Sequence, residues 1–339
     1  MSISLLTDDQ VIKQIAEKLA DYKHVPAMGM CSQHVKKWIT QFHESDRRFI
    51  LDETIRLLDI GYLSEDNYKH ILKAIAESRA NVPFFRESCF LNIQKQGSSQ
   101  SELIKSLSDL VSVKFNVVTR ESEREYVRKF KSFVYIDDVS FSGNKAITDL
   151  VWLIDSYDLS NINVSVYFFA SHTYADYHIK NRIESIFSNR NINIVIKTGS
   201  MRNVENRVSY SSSSGVFWPR DYSVNIPSEF ADSEIYTGTL RTGYSQNKNF
   251  QDESTRDRLE AILTKVGFDI LLKSKSPSDV LKPLGFSTFK GVGFGGTTFT
   301  YRNCPNNTPL AFWWGDYELT GTSALDCWYP LMKRIVYNQ

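Results

Sequence analysis

The stretch Phe133-Val-Tyr-Ile-Asp-Asp-Val-Ser-Phe-Ser-Gly-Asn-Lys-Ala146 decides the fold. An apolar, strand-like run leads into two adjacent acids, then into small polar residues and a glycine, and then into a helical pattern. This order predicts a strand, a tight polar loop and the start of a helix. Because ligands of open parallel sheets bind beyond the carboxyl ends of strands, the loop is the first candidate for a site.

Similar units flank this stretch on both sides. The other predicted strands are Cys89–Ile93, Lys114–Thr119, Val164–Ala170 and Ile192–Lys197, and the predicted strand in the quoted stretch is Ser132–Ile136. Helical patterns separate them, at about Glu102–Leu110, Ala146–Tyr157 and Ala175–Phe187. Strands that alternate with helices predict a parallel sheet, and near-continuous apolar strands predict that both of its faces are covered. We therefore assign the chain to the α/β class.

The two ends of the chain have a different pattern. Residues 1–82 show apolar spacing typical of helices and no strand-like alternation. Residues 83–250 form the predicted α/β core, and from about residue 199 onward this core carries a long polar insertion typical of a binding loop. A helix and glycine-rich segments predict a small α+β region over residues 251–339.

Composition excludes several classes of protein. Among 339 residues, 40 Lys and Arg face 39 Asp and Glu, so a uniformly basic nucleic-acid-binding surface is excluded, although a local patch is not. The four cysteines are widely spaced, which argues against a zinc knuckle or a disulfide framework and fits a reducing compartment. Two aspartates interrupt the N-terminal stretch, and the apolar runs are too short to span a bilayer. We expect a cytoplasmic protein with no membrane partner.

The loop after Asp138 has the composition of an anion site. Ser142, Gly143, Asn144 and Lys145 would present consecutive backbone N–H groups at a helix N-terminus, which suits a phosphate monoester. The preceding carboxylates are acceptors for ribose hydroxyls and are also candidate ligands of Mg²⁺, directly or through water. Two acids after a strand are also often only solvated.

These residues resemble the 5-phosphoribosyl-1-pyrophosphate (PRPP) loop of type I phosphoribosyltransferases. The resemblance implies a phosphoribosyltransferase-like core in which Asp137 and Asp138 are the catalytic acids that contact ribose hydroxyls. The residues that it implies for the phosphate are Ser140, Ser142, Gly143, Asn144 and Lys145. Residues 94–99 are similar to the pyrophosphate-binding loop, with Lys95, Gly97 and Ser98 as expected contacts, although a plain surface turn is an equal alternative there.

A narrower resemblance is to phosphoribosyltransferase-like proteins of bacterial conflict and anti-phage systems, including those encoded beside retron reverse transcriptases. It rests on Trp38-Ile-Thr-Gln-Phe42 and on the segment from Pro305 to Trp314. It implies an effector or toxin role in antiviral defence.

Three hypotheses for function follow. The first is an enzyme that binds PRPP with Mg²⁺, or a ribose-phosphate nucleotide, and acts at ribose C1. The second is a non-catalytic nucleotide sensor. It is suggested by Lys145, which stands where the similar loops end in a residue with a hydroxyl group. The third is a partner of nucleic acid or of a reverse transcriptase, for which the candidate residues are Lys36, Lys37, Arg47, Arg48, Lys69 and Lys73. Self-association into a homo-oligomer is compatible with each.

Overall fold

The structure is a computed structural model that describes residues 6–78, 81–94, 98–219, 226–236, 249–274, 278–318 and 324–335. It divides into two compact units. Asp66–Glu205 form the core unit, and Met1–Glu65 together with Asn206–Gln339 form the terminal unit.

The described elements follow in chain order. The helices are α1 (Asp8–Lys18), α2 (Ser32–Ile39), α3 (Glu44–Gly61), α4 (Glu65–Glu77), α5 (Asn81–Glu87), α6 (Ser99–Val111), α7 (Arg124–Val127), α8 (Asn144–Tyr157), α9 (Thr173–Ile186), α10 (Glu253–Ser274) and α11 (Leu310–Trp313). The strands are β1 (Tyr62–Leu63), β2 (Cys89–Leu91), β3 (Asn116–Val118), β4 (Ser132–Ser140), β5 (Ile162–His172), β6 (Ile192–Val204) and β7 (Phe299–Thr300).

The core unit contains a parallel sheet with the strand order β3-β2-β4-β5-β6. The chain leaves β2 toward β3 on one side and leaves β4 toward β5 on the other, so the direction of winding reverses between β2 and β4. In open parallel sheets this reversal opens a crevice at the carboxyl ends of the two strands, where ligands bind. The sequence prediction of an α/β fold with a parallel central sheet is confirmed.

Both faces of the sheet are covered by helices. Successive side chains of a strand point to opposite faces, so a strand that is apolar throughout is buried on both. Residues 133–136 are all fully buried. On one face, Phe133 and Tyr135 belong to an apolar cluster with residues of α8 and α9. On the other face, the Phe90 ring stacks on Phe115 at 4.1 Å between ring centroids, and Phe85 of α5 packs edge-on against Phe90 at 5.3 Å.

The terminal unit joins the two ends of the chain. The Trp38 indole donates a hydrogen bond to the Ala311 carbonyl at 2.8 Å, and β1 pairs in parallel with β7. The paired residues are far apart in sequence. The division into two compact units therefore differs from the predicted division into the consecutive regions 1–82, 83–250 and 251–339. The strand β1 also departs from the purely helical prediction, because two residues are too short to show alternation.

The strand β4 continues four residues beyond its predicted end at Ile136. The strand β6 likewise extends to Val204, into the segment where the sequence pattern becomes irregular. Across the described residues, we find no helix with the length and apolar character needed to cross a membrane.

Candidate functional site

The loop between β4 and α8 depends on Gly143. This residue is the N-cap of α8 and has a φ of +81°, a conformation that side chains with a Cβ disfavour. A Cβ at this position would lie 2.8 Å from Cγ1 of Ile179 and 3.0 Å from the carbonyl oxygen of Ala175, both on α9. Glycine is therefore required by the backbone and by the close approach of α9.

The first turn of α8 has the geometry of an anion site. Its N–H groups have no carbonyl four residues earlier within the helix, and the helix dipole adds partial positive charge. Asn144 and Lys145 are exposed, and the Asn144 N–H donates to the Ser142 hydroxyl at 3.4 Å. The turn lies at the carboxyl end of β4, beside the crevice. The predicted phosphate residues of this loop are thus brought together, and their role stays a prediction.

Because β4 continues to Ser140, the two adjacent acids lie inside a strand and point to opposite sides of it. Asp137 joins hydrogen bonds with Tyr135 on the side covered by α8, whereas Asp138 accepts from Tyr68 of α4. The pleat of the strand therefore gives the two carboxylates different hydrogen-bond partners, but they remain close enough for the charge of Asp137 to raise the pKa of Asp138.

Asp137 is buried, with 3% of its surface exposed. Its donors are the side chains of Gln94, Ser99 and Lys145 and the backbone N–H of Asp138. The Tyr135 hydroxyl lies 3.4 Å from Asp137 Oδ2, and its single hydrogen is shared with Asp149. The bonds from Gln94 Nε2 and Lys145 Nζ are both 2.9 Å long. Burial alone would raise the pKa of Asp137, but the Lys145 charge and the donated hydrogen bonds outweigh it and hold the pKa below its usual range.

Asp138 is partly exposed. It accepts a hydrogen bond from the Tyr68 hydroxyl at 3.3 Å and one from the Val139 N–H at 2.9 Å. Burial, followed by repulsion from Asp137, raises the pKa of Asp138 to about 6. Of the two predicted acids, Asp138 is the one with room for another hydrogen-bond donor.

A second buried carboxylate, Asp149, lies one helical turn after Lys145 on α8. The Tyr135 hydroxyl donates to it at 3.0 Å, Gln94 Nε2 approaches to 3.3 Å, and the Arg120 guanidinium lies 3.7 Å away. Burial raises its pKa. Tyr135 and Gln94 therefore link Asp137 to Asp149, and together they hold the inner wall of the site.

Sequence reasoning did not identify this inner wall. A single acid on the apolar face of the helix 146–157 was the available signal for Asp149, because acids are seldom buried without partners. Gln94 and Ser99 are the end residues of the predicted pyrophosphate loop, and no spacing rule singles them out.

The loop between β2 and α6 contributes unsatisfied polar atoms. Lys95 and Gly97 lie outside the described residues. Ser98 is the N-cap of α6, and its hydroxyl is buried without a hydrogen-bond partner in the described part of the chain. The same holds for Gln94 Oε1 and Gln100 Nε2. Buried polar atoms are nearly always paired in folded proteins, so three such atoms around one loop could form hydrogen bonds to a polar ligand.

The edge beside β5 is closed by an aromatic pair. Ser140 is buried, and its carbonyl accepts a hydrogen bond from Nδ1 of His172 at 2.9 Å. The His172 ring stacks on Phe141, with 4.8 Å between centroids. Burial lowers the pKa of His172 to about 3, so the imidazole stays neutral. Ser140 thus anchors the loop through its carbonyl, and its predicted phosphate contact stays a prediction.

The family follows from a comparison of the whole sequence. The PRTase-CE family model matches residues 35–334. The chain belongs to the PRTase-CE family. A search of curated proteins finds no significant match. Among solved structures, the chain is similar to the xanthine-guanine-hypoxanthine phosphoribosyltransferase of Helicobacter pylori, with a TM-score of 0.27 and 12% identity over 42% of this chain and 88% of that one.

Membership in the PRTase-CE family agrees with the type I phosphoribosyltransferase-like core inferred from the loop sequence. The expected phosphate loop follows the carboxyl end of β4, and Gln94 and Ser98, the described ends of the loop after β2, lie beyond the carboxyl end of that strand. The narrower link to retron systems stays a prediction.

The residues present fit a directly bound Mg²⁺ poorly. Such an ion prefers several converging oxygen ligands, whereas hydrogen bonds from Gln94, Ser99, Lys145 and the Asp138 N–H already occupy the lone pairs of Asp137. In the part of the PRTase-CE chain that the structure describes, no group of three or more His, Cys, Asp or Glu side chains is placed to hold a metal. The predicted Mg²⁺ therefore stays a prediction, and we derive no step from it.

Proposed function

We propose that this PRTase-CE protein binds PRPP or a ribose-phosphate nucleotide in the crevice between β2 and β4 and acts at ribose C1. One observation supports the proposal: the first turn of α8, led by Gly143, lies at the topological switch point beside a loop in which three buried polar atoms have no partner among the described residues. A phosphate monoester suits the first feature, and a second polar group of the same ligand suits the other.

Each part of the ligand then has a partner. The N–H groups of residues 143–145 hold the 5-phosphate, and the partly exposed Asp138 accepts a hydrogen bond from a ribose hydroxyl. The loop with Lys95, Gly97 and Ser98 receives the pyrophosphate. The bond between C1 and pyrophosphate breaks, pyrophosphate leaves with the electron pair, and an acceptor forms the new bond at C1. The protein contributes position and electrostatic stabilisation to this step.

Binding by calorimetry tests the phosphate position, with inorganic phosphate and ribose 5-phosphate as probes. Gly143→Ala should weaken both probes, because the added Cβ forces the loop away from α9. Gly29→Ala is the matched control, since Gly29 has a φ of +74° with nothing within 4 Å of its Cβ position. Equal affinities in Gly143→Ala and the wild type would refute the phosphate position.

Asp138→Asn tests the ribose contact. It should weaken the binding of ribose 5-phosphate by about tenfold or more, which corresponds to one hydrogen bond to a charged group. The affinity for inorganic phosphate should stay unchanged. Asp109→Asn is the control, because among the described residues this acid forms its ion pair with an exposed lysine of its own helix. A loss of both probes in Asp138→Asn would show that the acid acts on the phosphate or on folding instead.

Turnover separates an enzyme from a sensor. For an enzyme, pyrophosphate release from PRPP should be measurable with a suitable acceptor and should fall in Asp138→Asn. The saturated hydrogen bonding of Asp137 favours the sensor as second candidate, for which calorimetry would show binding with no pyrophosphate release for any acceptor.

We also propose, from the sequence resemblance, that the context is antiviral defence with a reverse transcriptase or nucleic acid as partner. The basic stretch gives this little support, because four of its six cations pair with acids. The pairs are Lys36–Asp9 at 2.8 Å, Arg48–Asp52 at 2.9 Å, Lys69–Asp66 at 3.9 Å and Lys73–Glu77 at 3.6 Å. Nucleic-acid binding that weakens steeply with salt would support the partner hypothesis, and salt-independent or absent binding would oppose it.

A further inference from the structure

We propose that the ammonium group of Lys145 is a built-in cation for Asp137, and that a sugar phosphate therefore binds in this crevice without Mg²⁺. The inference rests on the proposed function, and it concerns how that same site balances its charge.

The first step is the geometry of Asp137. Its Oδ1 accepts from the Ser99 hydroxyl and from the backbone N–H of Asp138, and its Oδ2 accepts from Gln94 and Lys145. An ionised carboxylate offers about four lone-pair sites. The donors Gln94, Ser99, Lys145 and the Asp138 N–H fill these four sites, and only 3% of Asp137 is exposed, so no position is left for a metal ion or for a ligand hydroxyl.

The second step is the charge. Lys145 Nζ lies 2.9 Å from Asp137 Oδ2, whereas its side chain is 60% exposed. An ammonium group has three donors, and Asp137 is its only hydrogen-bond acceptor within the described part of the chain. The ammonium group is thus held by a buried carboxylate on one side and exposed to solvent on the other. A Mg²⁺ ion brought to Asp137 would meet this like charge at close range.

The third step is the position of Lys145 in the chain. It lies in the first turn of α8, so its backbone N–H belongs to the proposed phosphate nest while its side chain reaches back to β4. One residue therefore supplies a donor to the phosphate and a charge beside the carboxylate. A hydroxyl-bearing residue at this position would leave Asp137 without a counter-charge, and a bound cation would then be needed to balance it.

Direct titration with Mn²⁺, a spectroscopic substitute for Mg²⁺, tests the first consequence. Electron paramagnetic resonance of free Mn²⁺ measures how much of the ion is bound. The wild-type protein and Asp137→Asn should give the same result, because Asp137 does not bind the ion in the wild type. In Lys145→Thr and Lys145→Gln a new Mn²⁺ site should appear, and Asp137→Asn in the same background should remove it. Lys105→Gln is the matched control, because Lys105 makes a 2.9 Å pair with Asp109 on the surface of α6.

Binding of ribose 5-phosphate tests the second consequence. Its affinity for the wild type and for Lys145→Arg should be the same with saturating Mg²⁺ or with EDTA. For Lys145→Thr, affinity should rise by about fivefold or more with Mg²⁺, the lower end of ordinary coupling between two ligands. Lys145→Gln should behave like Lys145→Thr, and circular dichroism identifies any variant that fails to fold.

The outcomes separate this inference from the proposed function. Wild-type Mn²⁺ binding that depends on Asp137 would overturn the built-in cation, whatever the sugar phosphate does, and so would Mg²⁺-dependent binding of ribose 5-phosphate to the wild type. If no ribose 5-phosphate binds under either condition, the proposed function fails, and the Mn²⁺ titrations alone decide the role of Lys145.

Discussion

Replacement of Gly143 by alanine is the sharpest test of the loop geometry. At a φ of +81° an L-residue costs about 1–2 kcal/mol. The new Cβ would also lie 2.8 Å from Ile179 Cγ1 and 3.0 Å from the Ala175 carbonyl, and overpacking of this kind costs about 1–3 kcal/mol. The expected loss in the free energy of unfolding is therefore about 2–5 kcal/mol, the sum of the two costs.

Gly29→Ala isolates the first of these costs. Gly29 has a similar φ of +74° but open space around its Cβ position, so we expect a loss of about 1–2 kcal/mol there. Urea unfolding followed by circular dichroism gives both values, and hydrogen exchange of α8 and α9 locates the effect of Gly143→Ala.

A double-mutant cycle then tests the contact itself. Ile179→Ala removes the side chain that the new Cβ would meet, so Gly143→Ala should cost about 1–3 kcal/mol less in that background. If the two glycine variants are equally destabilised, or if the cycle shows no coupling, the close approach of α9 to the loop is refuted.

Three further perturbations address other parts of the molecule. Tyr135→Phe leaves the buried Asp149 short of a donor and should cost about 1–3 kcal/mol in urea unfolding. Arg256→Met breaks a fully buried 2.7 Å pair with Glu260 and should cost about 3–5 kcal/mol. His172 has a folded pKa of about 3, below its ordinary value. As the pH falls below 6.5, the unfolded chain therefore takes up a proton that the folded chain does not. The free energy of unfolding of the wild type should fall by up to about 1.4 kcal/mol per pH unit more than that of His172→Gln.

Each of these predictions has a contradicting result. Tyr177→Phe is the control for Tyr135→Phe because Tyr177 is 62% exposed, and equal stabilities of the two would refute the buried network. Arg258→Met removes an arginine whose pair with Asp46 is half exposed, so it should cost far less than Arg256→Met. Parallel pH profiles of the wild type and His172→Gln would show that the imidazole has the same pKa in the folded and the unfolded chain.

Much of the core was predictable from local pattern. The apolar run 133–136 is buried on both sides, and a strand of this kind belongs to a covered parallel sheet. The glycine at 143 and the polar residues around it indicated the loop and the helix start, because few residues tolerate its backbone conformation. The strand ends were less accurate: β4 runs through Asp137 and Asp138, since pairing with β5 overrides the low strand propensity of aspartate.

From the sequence alone, the α/β class, the order of the core strands along the chain and the loop between β4 and α8 could be predicted, because these depend on periodicity and on backbone chemistry within a few residues. The sequence did not determine that Lys145 bonds to Asp137, that Gln94 and Tyr135 join Asp137 to Asp149, or that the adjacent aspartates face opposite sides of β4. Those facts depend on which strands become neighbours and on which side chains meet across them, and only the folded chain brings residues 94, 99, 135, 145 and 149 around one buried carboxylate.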